Sequence, residues 1–196
     1  MAFTNYDTKE INCKIVYFGP KSSGKTANLR SVFKQTSEDI RSGLIELDTD
    51  RSDAQFFEFL PVSIGKLGDF HLKMHLYAVN LQSSYESVMS VLLKGIDGYV
   101  FVADSRVESM IDNVETLATM KRLMSEEGIN HQDLPKVIQY NKRDFSDIIP
   151  VDIMRQDLNP TGAKDHEAVA VDAKGTMETV HSLSKLIIER FGATKN

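Results

Sequence analysis

Residues 12–26 of the chain read NCKIVYFGPKSSGKT, and this stretch decides the fold. Its first half, residues 12–19, is a β-branched and aromatic run that ends in glycine, which is typical of a buried strand. Its second half, residues 19–26, matches the phosphate-loop pattern G-x-x-x-x-G-K-S/T without a gap. Because the loop stands between a strand and the helical pattern of residues 26–35, a chance match is a poor explanation. We therefore predict a P-loop α/β domain.

The predicted phosphate loop has each residue type where phosphate binding requires it. Gly19 and Gly24 allow the backbone to bend so that its N–H groups point inward at an anion. Lys25 is expected to contact the β- and γ-phosphates, and the Thr26 hydroxyl is expected to bind Mg²⁺. The predicted nucleotide contacts in this region are Gly19, Pro20, Lys21, Ser22, Ser23, Gly24, Lys25, Thr26 and Ala27.

The rest of the chain alternates between strand and helix patterns. We predict strands over residues 54–65, 70–79, 98–105, 136–140 and 167–173, and helices over residues 84–95, 107–127 and 176–192. This alternation predicts a mostly parallel six-stranded sheet with one antiparallel edge strand and helices on both faces. No stretch has the composition of a linker, so residues 1–196 are predicted to form one domain. The ligand is expected at the carboxyl ends of the strands.

A second motif, NKRD at residues 141–144, follows the predicted strand 136–140. Asp144 can accept hydrogen bonds from the ring N1–H and the exocyclic amine of guanine, which adenine does not offer together. The Asn141 amide can meet the opposite edge of the ring, and the Lys142 stem can lie against its plane. We predict guanine-nucleotide binding by this tetrad.

A third loop, DAK at residues 172–174, follows the last predicted strand. It provides two further candidate contacts to the base, Ala173 and Lys174. An ordinary surface loop with no contact to a nucleotide remains open as the alternative for these residues.

Composition excludes some classes of function. A net charge of −5 leaves no electrostatic footprint for nucleic acid, so we expect no nucleic-acid partner. No run approaches the roughly 18 apolar residues that span a bilayer. Neither a secretory signal nor a lipidation motif is visible. The single Cys13 lies in an apolar run and is predicted to be buried. We expect a cytoplasmic protein without a direct membrane anchor, monomeric when alone.

The order and content of these motifs resemble the Ras-like small GTPases, and within them the bacterial MglA branch of mutual gliding-motility proteins. The similarity covers nearly the whole chain and is carried by the segments INCKIVYFGP, SGKTANL, FFEFLPVSIG, HLYAV, GYVFVADS, VIQYNKRD and EAVA. It implies a Ras-like fold, GTP and GDP with Mg²⁺ as ligands, and a switch that sets cell polarity for motility from a cell pole. It also implies two kinds of partner: a roadblock-domain regulator like MglB, which stimulates hydrolysis, and response-regulator-like polarity proteins.

The chain departs from the MglA pattern at the phosphate loop and at the first switch. In the phosphate loop, MglA proteins carry a small residue at the position of Lys21. They also carry an Arg-Thr pair at the positions that are Asp53 and Ala54 in this chain. In the family the Thr binds Mg²⁺ and the Arg serves as an internal arginine finger. The Ala54 side chain has no oxygen that could bind a metal. The alternative left open is a shifted register, in which Thr49 replaces the metal-binding Thr and Arg51 replaces the Arg.

The second switch departs as well. The family pattern Pro-Gly-Gln is replaced by Asn80, Leu81 and Gln82. Leu81 keeps a backbone N–H but restricts the conformations that glycine allows. Gln82 remains where the family orients an attacking water. Lys21 is the second catalytic candidate, as a cation for the γ-phosphate; a solvated surface lysine is its alternative.

Three functions are consistent with these residues. The first is a GTP-binding polarity and motility switch whose intrinsic hydrolysis is weak or absent, because an arginine finger contributes about 10³ to 10⁵ in rate. The second is an interaction scaffold of one shape, a pseudo-GTPase with structural nucleotide. The third, a P-loop kinase for a small molecule, is disfavoured by the NKRD tetrad.

Overall fold

The computed structural model describes residues 3–41, 43–47, 57–78 and 86–193. These residues form one sheet of eight strands with helices on both faces. The strands are β1 (Phe3–Asn5), β2 (Glu10–Phe18), β3 (Ile45–Leu47), β4 (Phe57–Leu67), β5 (Phe70–Ala78), β6 (Gly98–Asp104), β7 (Lys136–Asn141) and β8 (Lys164–Glu167).

Five α-helices lie within the described ranges. They are α1 (Lys25–Gln35), α2 (Glu86–Leu93), α3 (Met110–Glu126), α4 (Val151–Leu158) and α5 (Thr176–Ala193). Short 3₁₀ turns occur at Val107–Ser109 and Ala170–Asp172. None of the described helices combines the length and apolar character needed to cross a membrane.

The strand order is β3-β4-β5-β2-β6-β7-β8, with β1 paired to β2 outside this path. The strands from β5 through β2, β6 and β7 to β8 run parallel, whereas β4 is antiparallel to β5 and β3 is antiparallel to β4. The predicted α/β class is confirmed, including the antiparallel pairing of the second and third predicted strands. The sheet exceeds the predicted six strands because β1 and β3, three residues each, are too short to leave a periodic signal.

The continuous apolar run of β6 is explained by burial on both faces. All seven of its residues are buried. Val100 and Val102 pack in a core with side chains of α1 and α5, whereas Phe101 and Ala103 pack in a core with side chains of α2, α3 and α4. The sheet is therefore a middle layer between two apolar cores, and its carboxyl edge carries the loops after β2, β6 and β7.

The predicted strand over residues 167–173 is wrong in position. The edge strand β8 is Lys164–Glu167, and a 3₁₀ turn follows it at Ala170–Asp172. The buried residues 168–170 lie between the strand and this turn or at its start, whereas Val171 is exposed. The strand itself, KDHE, is polar because it lies at an edge of the sheet, so it carries no apolar pattern.

Two further differences concern helices. The predicted helix over residues 107–127 begins with the 3₁₀ turn, and its α-helical part starts at Met110. Helix α4 was not predicted. Its buried residues Met154 and Leu158 are four apart, and Pro150 stands at its N-cap, so the periodic signal was present but short.

We predict that the buried amide of Gln139 stabilises the sheet against α1 and α5. Gln139 is fully buried, and its Nε2 donates to Asn28 Oδ1 and Thr179 Oγ1, both at 2.9 Å. Gln139→Leu should lower the free energy of unfolding by about 1–3 kcal/mol, because it leaves buried acceptors without a donor. The measurement is urea denaturation of the nucleotide-free chain.

The exposed Gln156 of α4 provides the matched control. Gln156→Leu should change the free energy of unfolding by less than about 0.5 kcal/mol. Equal losses for the two variants would contradict a special role for the buried amide.

Candidate nucleotide-binding site

The backbone between β2 and α1 forms a cradle that side chains would fill. Gly19 has φ 146° and Gly24 has φ 102°, both outside the usual range of L-residues. A Cβ at Gly19 would lie 2.1 Å from the carbonyl oxygen of Val102, and one at Gly24 would lie 2.1 Å from Asn141 Nδ2. Glycine is therefore required at both positions by conformation and by close approach.

Helix α1 begins inside this loop. Its N-cap is Gly24, and within the described residues no side chain caps its first turn. The first N–H groups of a helix have no partner inside the helix, and the helix dipole adds positive potential at that end. An anion that enters the loop can accept hydrogen bonds from these groups.

Lys25 places a cation inside the loop. It is 4% exposed, and its Nζ donates to the carbonyl oxygens of Gly19 and Pro20 at 2.9 and 2.7 Å. Burial lowers the pKa of the Lys25 ammonium to about 7, and the carboxylate of Glu58 opposes this shift in part. Neutral carbonyl oxygens compensate a buried charge poorly, so an anion next to the ammonium would lower the free energy of its charged form.

Asn141 joins three parts of the site. Its Nδ2 donates to the carbonyl oxygen of Ser23 at 2.8 Å, and its Oδ1 accepts from the backbone N–H of Ala170 at 3.0 Å. The residue ends β7 and is 2% exposed. One amide thus connects the phosphate loop, the NKRD tetrad and the loop after β8. Direct contact of this amide with a base stays a prediction.

The other members of the tetrad point in different directions. Lys142 has a left-handed backbone, φ 65°, and its Nζ donates to Asp104 Oδ2 at 2.7 Å. Asp144 is exposed, so its carboxylate faces solvent at the carboxyl edge of the sheet. Arg143, between them, donates through Nη1 to the carbonyl oxygen of Ile149 at 2.7 Å and fixes the start of the following segment.

The third predicted loop lies beside the phosphate loop. Ala173 has a left-handed backbone with φ 61°. Lys174 is exposed, and its Nζ is 3.4 Å from Asp172 Oδ2. The backbone N–H of Ala170 donates to Asn141 Oδ1, so the loop is tied to the tetrad although it does not directly follow a strand as predicted.

A cavity of about 490 Å³ lies between the phosphate loop, α1 and the loop 170–173. It brings together predicted contacts from two loops: Lys21, Ser22, Gly24, Lys25, Thr26, Ala27 and Ala173. Of the tetrad, Asn141 is joined to the phosphate loop beside this lining by its bond to the Ser23 carbonyl oxygen. The volume is within the range of ligand pockets.

Sequence reasoning missed the basic side of the cavity. Arg30 and Lys34 of α1 line it together with Ser31. Arg30 Nη2 is 3.9 Å from Oε1 of the buried Glu58. Arg30 and Lys34 are four residues apart, and so lie on one side of the helix that starts at the phosphate loop. Helical spacing was therefore the signal that could have found them.

Several predicted residues fall outside the described part of the chain. These are the catalytic candidate Gln82, the metal candidate Thr49, and the switch positions Arg51, Asp53, Ala54, Asn80 and Leu81. Their roles stay predictions. The other catalytic candidate, Lys21, is exposed and lies in the cavity lining.

Comparison with known proteins gives one close relative. The chain is 41% identical over 188 residues to the mutual gliding-motility protein MglA of Myxococcus xanthus strain DK1622, and the similarity covers 96% of each chain. No protein-family model matches the chain. The similarity is long enough to include the phosphate loop, the tetrad and the loop 170–173.

We predict that Gly24→Ala disrupts the link between the phosphate loop and β7. The new Cβ would displace the Asn141 amide, in addition to the strain at positive φ. Gly128→Ala is the matched control, because Gly128 has φ 71° but nothing within 4 Å of an added Cβ. Gly24→Ala should lower the free energy of unfolding by about 1–3 kcal/mol more than Gly128→Ala. Urea denaturation measures both, and equal losses would show that the contact with Asn141 has no energetic role.

Proposed function

The chain belongs to the MglA family of mutual gliding-motility proteins, and on that basis we propose that it is a Ras-like guanine-nucleotide-binding switch for cell polarity and motility. The fold supports this proposal, since the sheet order and the P-loop are those expected of a Ras-like domain. The observation that carries the proposal is the buried Lys25, whose ammonium donates to two neutral carbonyl oxygens at the start of α1.

Three features support a phosphate group at this position. The glycine cradle leaves space for oxygens where side chains would clash. The first turn of α1 offers backbone N–H donors. Lys25 supplies a charge that is costly without an anion. The same small volume therefore combines shape, donors and charge for phosphate.

The tetrad supports guanine as the base. Asp144 is exposed at the carboxyl edge of the sheet, where a base edge can reach it. A carboxylate accepts two hydrogen bonds from the guanine N1–H and amine, and adenine cannot supply that pair. Arg30 and Lys34 add positive charge to the cavity wall for a polyphosphate.

The residues also fit Mg²⁺. Thr26 lies in the cavity lining at the second position of α1, next to Lys25. Among the described residues no three His, Cys, Asp or Glu side chains form a metal site, so we propose that Thr26 and phosphate oxygens hold the ion. Mg²⁺ prefers such oxygen ligands, and when bound it neutralises charge on the phosphates.

We propose that hydrolysis is slow or depends on a partner. The positions aligned with the family's Arg-Thr pair are Asp53 and Ala54, which supply neither a cation nor a hydroxyl. Lys21 is exposed in the cavity lining, within the wall that would meet the phosphates. Gln82 keeps the side chain that orients a water. Lys21 and Gln82 are the residues to which we assign the remaining catalysis.

We further propose partners and a location from the family resemblance. The partners are a roadblock-domain regulator like MglB and response-regulator-like polarity proteins, and the location is the cytoplasm with enrichment at a cell pole. The M. xanthus relative is named for gliding motility. A motility role for this chain follows from that relationship and is tested by deletion of its gene and measurement of cell movement.

A second candidate is an interaction scaffold with structural nucleotide. The substitutions at both switches favour it. Asp53 and Ala54 replace the Arg and Thr side chains that act at the γ-phosphate in the family, and Leu81 restricts the backbone where the family's glycine N–H senses that phosphate. The intact phosphate loop is compatible with both functions. Partner capture by the GDP and GTP forms separates them: equal capture supports the scaffold, and a large difference supports the switch.

We predict that the chain prefers GDP over ADP by about 10⁴-fold, since a site built to hydrogen-bond a group rejects the analogue that lacks it. Asp144→Ala should weaken GDP binding by roughly 10²-fold, through loss of two bonds to a charged acceptor. Asp147→Ala, at an exposed aspartate of the same loop, is the control and should leave the affinity unchanged. Competition calorimetry measures these affinities. A preference for ADP would refute the guanine assignment and favour a kinase.

We predict slow turnover by the chain alone. After loading with GTP and Mg²⁺, most of the nucleotide should remain GTP over hours, because the arginine finger that contributes about 10³ to 10⁵ in rate is missing. Chromatography of the released nucleotide follows the reaction. Conversion to GDP within minutes would contradict slow hydrolysis, and Lys21→Ala then tests whether Lys21 replaces the missing cation.

A further inference from the structure

Asp104 is a buried carboxylate at the end of β6 that pairs with two cations. It is 1% exposed. Its Oδ2 accepts from Lys142 Nζ at 2.7 Å and from Arg106 Nη2 at 2.8 Å, and its Oδ1 accepts from Arg106 Nε at 3.1 Å. Neither the phosphate-loop pattern nor the NKRD pattern includes this residue.

The carboxylate is held in a fixed place beside the tetrad. The backbone N–H of Asp104 donates to Asn113 Oδ1 at 2.9 Å, and Asn113 Nδ2 donates to the Asp104 carbonyl oxygen at 2.8 Å. The next residue, Ser105, donates its N–H to the Asn141 carbonyl oxygen at 3.0 Å. The backbone of Asp104 is therefore held by α3, and that of the adjacent Ser105 by β7, while the bonds from Arg106 and Lys142 hold the Asp104 side chain.

This arrangement determines where the Lys142 side chain lies. A lysine side chain in solvent samples many rotamers, and ordering them costs free energy when a ligand binds. With Nζ bonded to a buried carboxylate and φ at 65°, both ends of Lys142 are already fixed. The apolar stem between these ends is the part that would face the plane of a purine.

Charge and packing around the pair support a lasting contact. Burial raises the pKa of the Asp104 carboxyl, but the hydrogen bonds from Arg106 and Lys142 outweigh it, so the net shift of the pKa is downward. Arg106 also bonds Glu108 at 2.6 Å. The Phe145 ring covers the cations, with its centroid 5.4 Å from the Arg106 guanidinium and 6.0 Å from Lys142 Nζ.

We propose that Asp104 is a positioning residue of the base site, which fixes Lys142 through its ammonium so that the lysine stem forms a preordered platform for the purine. This inference rests on the proposed function, since it concerns the same nucleotide site. The platform contacts the flat face of the base and not its hydrogen-bonding edge. Its effect is therefore the same for guanine and for hypoxanthine, which lacks the exocyclic amine.

The test is a double-mutant cycle in the full chain, with GDP and inosine diphosphate as the two ligands. Asp104→Asn should weaken the binding of both by the same factor, about tenfold, because Lys142 must then be ordered on binding. Lys142→Met keeps an apolar stem but removes the ammonium, and should have a similar effect. In the Lys142→Met background, Asp104→Asn should cause no further loss of affinity. Asp104→Ser replaces Asp104→Asn if the latter does not fold.

Asp97→Asn is the matched control for loss of a buried carboxylate. Asp97 is 7% exposed, precedes β6 at its opposite end, and accepts the Lys14 N–H at 2.8 Å. This variant should leave the nucleotide affinity unchanged. Unchanged affinity in Asp104→Asn, or additive losses in the double variant, would overturn the positioning role while the proposed function stands. A wild-type chain that binds no GDP would refute the proposed function and this inference together.

Discussion

The burial of the Lys25 ammonium is the main physical constraint on the phosphate loop between β2 and α1. A shift of its pKa from 10.5 to about 7 corresponds to an unfavourable free energy on the order of 5 kcal/mol for the charged form. The nucleotide-free loop partly offsets this cost through the carbonyl oxygens of Gly19 and Pro20. A polyphosphate would compensate the charge far better than these carbonyl oxygens. The folded loop is therefore expected to favour binding of an anion.

That preference depends on connections that run across the sheet. The Asn141 amide holds the phosphate loop through Ser23 and the third loop through Ala170. Gln139, two residues earlier in β7, holds α1 and α5 on the face of the sheet opposite to α3. Alternate residues of one strand therefore hold α1, which follows the phosphate loop, and the loop after β8.

The parts of the site that the sequence predicted are local ones. Residues 19–26 form a contiguous pattern whose geometry follows from two glycines and a helix start, and the structure has that geometry. The pairing of Lys142 with Asp104 is different, because 38 residues separate them and only the parallel neighbours β6 and β7 bring them together. The strand Lys164–Glu167 was missed since a polar edge strand has no apolar period. A single sequence therefore does not show which distant residues become neighbours in the fold, nor which polar segment forms an edge strand.

The most direct test of the account is the proton balance of GDP binding. At about pH 8.5, above the lowered pKa of Lys25 and below its ordinary value, the unliganded ammonium is mostly deprotonated. Phosphate favours the charged form and raises this pKa, so binding should take up about one proton at pH 8.5 and almost none near pH 6. Calorimetry in buffers of different ionisation enthalpy measures this uptake, and Lys21→Met, at an exposed lysine of the same loop, should retain it. Tight GDP binding without proton uptake at pH 8.5 would contradict the lowered pKa of Lys25 in the unliganded chain and its proposed contact with phosphate.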